Sequence, residues 1–298
     1  VPINDNYSDI AMEQEITKEF RPKDRSAKKI FSGLGVRSLV VVLGIPALLA
    51  AVYYGGWWLG AVVLALSLLG LGEFYGLVRA KGLKPLTAWG LAGGAILWYC
   101  FFNPTSIAAG ALALWLLLLF SWMVVKGEVD GSLARAGTTV FGVIYVAGLL
   151  GHLLLLRNLD DVLGFKLAVL TMSLIWIGDT GAYFTGMAFG KRPMAPQISP
   201  KKSMEGLAGG ALVTLAAAFL IARYWIWELS TWQALVIGLG VVVFGTLGDL
   251  FESLLKRDAG VKDSGNLLPG HGGVLDRFDS MMFALPFVYW FCRIFVFR

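Results

Sequence analysis

From Arg37 to the C-terminus, apolar runs of about 20 residues alternate with short polar connections. At 1.5 Å per residue in a helix, each run is long enough to cross a hydrocarbon core of about 30 Å. The pattern predicts nine spans, at 37–54, 57–79, 85–102, 106–125, 133–156, 166–189, 204–224, 232–255 and 277–297, with the first break near Tyr54 to Trp57 the least marked. The expected fold class is all-α, a polytopic integral membrane protein. Three regions follow: a polar cytoplasmic arm at 1–36, an N-terminal group of helices at 37–165, and a C-terminal group at 166–298 that carries the polar motifs.

Composition strengthens the membrane reading. With 57% hydrophobic residues, 15% charged residues, 11 tryptophans and a mean hydropathy of +0.71, the chain has more apolar surface than a water-soluble domain of 298 residues can bury. Cys100 and Cys292 lie in apolar spans without metal-ligand spacing and do not report a redox compartment. Residues 1–36 mix both charges and lack the apolar core of a signal peptide, so they are expected to form a mobile or interfacial tail.

Charge then sets orientation, because Lys and Arg are retained on the cytoplasmic side. With the N-terminus inside, the cytoplasmic segments hold 20 of the 25 basic residues, all but Arg157, Lys166, Arg223, Arg293 and Arg298. The asymmetry supports an odd number of spans and places the loops at 190–203 and 256–276 on the cytoplasmic face, where nucleotides are.

Ionisable residues inside spans are costly in hydrocarbon and point to function unless paired. Here they are Glu73, His152, Asp179, Asp249 and Glu252, with Glu205 at a span edge. His152, alone among leucines, reads as a structural histidine. Glu73, near the cytoplasmic end of its span, fits an interhelical hydrogen-bond partner as well as a functional group. Asp179 and Asp249 differ, since each sits in the last turns of a span that runs into a basic loop.

Chemistry gathers at those two junctions. In "GDLFESLLKR", Asp249, Glu252, Ser253 and Lys256 fall at helical offsets that share one face, opposite Leu250, Leu254 and Leu255. In "LDRFD", Asp276 and Asp279 share a face at the start of the ninth span. Carboxylates at the ends of two successive helices suit Mg²⁺, which keeps water ligands and shares positions with substrate phosphates. Between them, Lys256, Arg257 and Lys262 can neutralise phosphate. Gly270, Gly272 and Gly273 let backbone amides approach an anion, and His271 can donate to a phosphate or act as an acid. On physical grounds alone, a solvated loop with helix-capping aspartates also fits. Upstream, Asp179, Tyr183 and Gly186 share a helical face, and a Ser-Pro-Lys-Lys-Ser turn from Ser199 to Ser203 opens a helix whose N-terminus favours an anion.

The stretch Ser253 to Asp279, "SLLKRDAGVKDSGNLLPGHGGVLDRFD", resembles the signature of phosphatidate cytidylyltransferases, also called CDP-diacylglycerol synthases. "GDTGAYFTGMAFGKRPMAPQISPKKSMEG" is similar to the upstream element of that family. No motif is matched before residue 166. The resemblance implies transfer of a cytidylyl group from CTP to phosphatidate, at an active site on the cytoplasmic face of a bacterial inner membrane. It implies catalytic roles for Lys256, Arg257, Lys262, Asp263, His271 and Arg277. Substrate would be held by Asp179, Tyr183, Ser199, Lys201, Lys202, Ser203, Glu205, Ser253, Gly270, Gly272 and Gly273. Asp249, Asp276 and Asp279 would hold Mg²⁺, one or two divalent ions with room for a monovalent cation. The expected partners are CTP, phosphatidic acid, the lipid bilayer and a second copy in a homodimer, with no nucleic acid.

Three other readings stand beside it. "DGSLAR" at Asp130 to Arg135 begins like the CDP-alcohol phosphotransferase motif, but Ile144 stands where that motif needs glycine and no further acid follows until Asp160. A cation-coupled transporter would need acids near the bilayer centre, whereas these cluster toward one face. A CTP-dependent enzyme on another lipid, a polyprenol kinase or an ether-lipid cytidylyltransferase, shares the same chemistry.

Overall fold

A computed structural model describes residues 42–265 and 272–297. The arm at 1–36 and the tip of the glycine loop, with Gly270 and His271, lie outside the described residues. The described chain is almost wholly helical: α1 Val42–Tyr54, α2 Gly56–Ala80, α3 Thr87–Phe102, α4 Ser106–Lys126, α5 Ser132–Arg157, α6 Leu163–Phe189, α7 Met204–Tyr224, α8 Thr231–Asp258 and α9 Leu275–Phe295. Among the described residues six of these, α2 and α5 to α9, are long and apolar enough to cross a membrane, while α1, α3 and the described apolar part of α4 are shorter. The break between α1 and α2 falls at Gly55, whose φ of 63° an L side chain rarely adopts. Arg157 seals it by donating from Nε to the Val52 carbonyl at 2.8 Å.

The apolar faces meet in a continuous core. Val52 of α1, Leu59 of α2, Leu167 and Met172 of α6, Ala218 of α7, Ile237 of α8 and Leu285 of α9 are all buried in one cluster. A second cluster joins Leu71, Phe74 and Tyr75 of α2 to Tyr145 and Val146 of α5 and to Leu275 and Met282 of α9. Two antiparallel pairs, α6 with α7 and α8 with α9, pack most extensively. Small residues allow this: a Cβ on Gly210 of α7 would lie 2.9 Å from the Gly178 carbonyl of α6, and one on Gly248 of α8 would strike the Asp279 carbonyl of α9. Without a hydrophobic drive between helices in lipid, such backbone approach is a main source of helix association.

Three local features depart from the sequence expectations. The stretch expected to be a plain turn before α7 is a hairpin, in which β1 Pro193–Ala195 pairs antiparallel with β2 Ser199–Ser203. The pairing satisfies backbone groups of a loop that would otherwise need water at the membrane surface. Lys256 and Arg257, expected in the loop, belong to the last turn of α8, where cations complement the helix dipole. Finally, α5 contains a π-helical segment, Val143–Gly148, which no sequence period announced.

Candidate active site

The site is built where the ends of α6, α8 and α9 meet the hairpin. Lys202 of β2 pairs with Asp249 of α8, and Arg257 donates from Nε to the Ile198 carbonyl in the hairpin turn at 3.3 Å. The hairpin is therefore joined to the C-terminal turns of α8 at one end of the bundle. Burial lowers the pKa of the Lys202 ammonium from its ordinary value, against the opposing pull of Asp279 and Asp179.

The polar stripe of α8 is present as its spacing requires. Ser253 donates to Asp249 Oδ1 at 3.4 Å, and Lys256 pairs with Glu252 one turn back. Lys256 also reaches Asp276 Oδ1 on α9 at 2.6 Å. Glu252 is fully buried, and its carboxylate has no described partner besides that ammonium. The other oxygen of Asp276 accepts from the Ser264 amide at 3.0 Å, the Ser264 hydroxyl at 2.9 Å and the Gly273 amide at 2.8 Å. Asp279 Oδ1 accepts from the Ser280 amide at 2.6 Å.

Two cavities converge on these groups. One, of about 770 Å³, is walled on its apolar side by α1, α2 and α6, including Leu48, Leu66 and Trp176. On its polar side it is lined by Asp179, Asp249, Lys256, Asp263, Asp276, Arg277 and Asp279. The other, of about 510 Å³, lies between α6, α7 and the hairpin, lined by Tyr183, Gly186, Lys201, Lys202 and Ser203. Asp179, Asp249 and Ser280 border both.

Most of the sequence candidates thus fall in one place, with differences in detail. Glu205 lines neither cavity; its Oε2 accepts from the Lys191 and Arg192 amides at 3.0 and 3.1 Å and so fixes the entry to the hairpin. Ser203 caps α7 by accepting from the Gly206 amide at 3.1 Å, while Ser199 sits in the ladder opposite Ala195. Lys262 is exposed. Gly272 has a φ of 80°. The Gly273 amide, expected to face a substrate anion, is taken by Asp276. Ser264 and Ser280 were not among the sequence candidates, while Glu73, open between an interhelical hydrogen-bond partner and a functional group, does bond across helices to the start of α9. Ser280 had a weak signal, four positions after Asp276.

The donor set fits a hard divalent cation. Aspartates from α6, α8 and α9 line one cavity, Asp249 and Asp276 each beside a lysine, and Mg²⁺ favours carboxylate oxygens while keeping several positions for water and phosphate. Among the described residues no three His, Cys, Asp or Glu side chains gather closely enough to hold an ion by themselves. Two carboxylates plus water and substrate match the habit of Mg²⁺, whereas an all-protein cage does not form here.

The chain matches the Cytidylyltransferase family over residues 35–295 and belongs to it. It is 39% identical over 226 residues to the phosphatidate cytidylyltransferase of Bacillus subtilis (strain 168), covering 74% of this chain and 84% of that protein. It is 31% identical over 280 residues to the phosphatidate cytidylyltransferase of Synechocystis, covering 86% of this chain and 95% of that protein. With the protein of the same name from Staphylococcus haemolyticus it shares 32% identity over 257 residues, 84% of this chain and 96% of the relative.

Proposed function

We propose that the protein transfers the cytidylyl group of CTP to phosphatidate, releasing pyrophosphate and leaving CDP-diacylglycerol in the membrane. The observation that carries the reading is the meeting of two cavities at Asp179, Asp249 and Ser280, one with an apolar wall from α1, α2 and α6 and the other beside the lysines of the hairpin. Acyl chains fit the apolar wall of α1, α2 and α6, with the lipid phosphate at the acid and base groups below it. CTP fits the cavity beside the hairpin, where Lys201 and Lys202 offer cations to its phosphates.

A phosphatidate oxygen, already charged, attacks the α-phosphorus of CTP; the new P–O bond forms as the bond to the bridging α–β oxygen breaks, and pyrophosphate carries away the electron pair. No serine or cysteine nucleophile is needed. Two polyanions repel, so the cations of Lys201, Lys202, Lys256 and Arg257 must offset that repulsion for approach to occur. Asp249 and Asp276 would hold Mg²⁺, with Asp279 as a further ligand and room for a monovalent cation. A bound Mg²⁺ would supply charge stabilisation for the pentacoordinate phosphorus and the leaving group. The cytoplasmic orientation, which rests on the distribution of basic residues, puts this site on the side of CTP in a bacterial inner membrane. The homodimer rests on the family resemblance alone.

Purified protein incubated with CTP, phosphatidate and Mg²⁺ in detergent should yield CDP-diacylglycerol by mass spectrometry. A lipid that has gained only a phosphate would instead indicate a kinase. In the same assay, Asp249→Asn and Asp276→Asn should each lower transfer at least about a hundredfold, roughly 2.7 kcal/mol of transition-state stabilisation, because Asn keeps size but removes the charge a divalent cation needs. Activity like wild type in either variant would remove that residue from the metal-binding role.

A further inference from the structure

Glu73 lies in α2, far from either motif in sequence, yet its carboxylate is the acceptor on which Ser264 and the start of α9 converge. Its Oε1 accepts from the Val274 amide at 2.9 Å and its Oε2 from the Leu275 amide at 2.9 Å. Leu275 is the first residue of α9 and Val274 its N-cap, a residue whose side chain provides no acceptor. These amides belong to the set that a helix cannot satisfy from its own carbonyls. A carboxylate at that end also faces the positive pole of the helix dipole. The cap that valine lacks is therefore supplied from 201 positions away.

The same carboxylate reaches the metal-site aspartate through one intermediary. Ser264 Oγ lies 3.3 Å from Glu73 Oε2 and 2.9 Å from Asp276 Oδ2. The Ser264 and Gly273 amides add two more bonds to that Asp276 oxygen. Oδ2 is thus held by protein donors, while Oδ1 is the oxygen that meets the Lys256 cation. The loop glycines carry the imprint of this arrangement. A Cβ on Gly265 would lie 2.7 Å from Glu73 Oε1, and one on Gly273 would strike both the Glu73 carboxylate and the Ser264 hydroxyl. Glycine at 265 and 273 leaves the room that the Glu73 side chain occupies.

We propose that Glu73 is a positioning residue for cytidylyl transfer: by capping α9 and sharing Ser264 with Asp276, it fixes which Asp276 oxygen is presented to the cation. The inference rests on the function proposed above for the same site. Gln at 73 keeps one acceptor but turns an NH₂ toward the second of the two α9 amides, so one bond to α9 is lost and the start of the helix that carries Asp276 is held less firmly.

The test uses full-length protein in detergent, with Mn²⁺ alone as the probe and free Mn²⁺ read by electron paramagnetic resonance. Loss of a partner that orients a metal ligand costs about 10- to 100-fold in metal affinity or activity, so Glu73→Gln should raise the half-saturating Mn²⁺ concentration and lower kcat by about tenfold or more, leaving KM for phosphatidate within about twofold. Ser264→Ala retains the Ser264 amide and the α9 cap, and should move both quantities in the same direction by a smaller factor. Unchanged Mn²⁺ half-saturation in both variants would overturn the role, even if activity fell in proportion to the folded fraction. Absence of Mn²⁺ binding by the wild type would overturn it too. Mn²⁺ binding that depends on Glu73, in a wild type that makes no CDP-lipid, would support the positioning role while overturning the proposed reaction.

Discussion

Lys256 sits between two carboxylates, Glu252 on its own helix and Asp276 on α9, with only 12% of its side chain exposed. Glu252 is fully buried and has no other described partner. Removing the ammonium alone leaves the fully buried Glu252 carboxyl without its described partner, and breaking a buried pair costs about 3 kcal/mol or more. Lys256→Met should therefore lower the thermal unfolding temperature in detergent, and adding Glu252→Gln should restore most of the loss because no buried acid is then left without its partner. A double variant no more stable than Lys256→Met would show that Glu252 is not the cause. At this scale the sequence was informative about kind and spacing: the face shared by Asp249, Glu252, Ser253 and Lys256 follows from helical period alone. Pairing across the bundle was not legible. Lys202 finds Asp249 over 47 positions and Glu73 finds Leu275 over 202, distances at which neither propensity nor periodicity carries information.

The hairpin is the element on which nucleotide binding depends in this account. Its ladder is only three and five residues long, too short for independent stability, so it must be anchored from outside. Glu205, at the first turn of α7, anchors its entry through the Lys191 and Arg192 amides, and Arg257 of α8 anchors its turn at Ile198. Glu205→Ala releases the first anchor without touching either cavity. It should raise KM for CTP by about fivefold or more, equivalent to roughly 1 kcal/mol of lost positioning, while KM for phosphatidate is unchanged. Equal increases for both substrates would show that the hairpin serves the whole site. Glu205 was legible as a polar residue at a span edge, but its role was not, since the residues between 190 and 203 give no alternating pattern from which a strand pair could be read. The π segment of α5 was hidden for a similar reason: "VIYVAG" is apolar throughout, and one extra residue per turn leaves no mark on a uniformly apolar run.

Across the whole molecule, the pattern of apolar runs placed the described helices to within a few residues, because span length is set by the bilayer and not by detailed packing. It did not reveal that α1 and α2, which carry no matched motif, wall the apolar side of the active-site cavity. The assignment of one substrate to each cavity makes opposite demands on two variants. Leu66→Trp fills the lipid side and should raise KM for phosphatidate by about fivefold or more, while Lys201→Ala on the hairpin side should raise KM for CTP, in each case with the other constant unchanged. Steady-state kinetics in mixed micelles would check both, and the reverse pattern would exchange the two cavities. In the proposed reaction both substrates meet directly at Asp179, Asp249 and Ser280, without a covalent cytidylyl-enzyme between them. The configuration of the transferred phosphorus tests this most directly. With CTP bearing a single chiral sulfur on its α-phosphorus, one in-line displacement predicts CDP-diacylglycerol of inverted configuration, whereas retention would require two displacements through an enzyme nucleophile and would contradict the account.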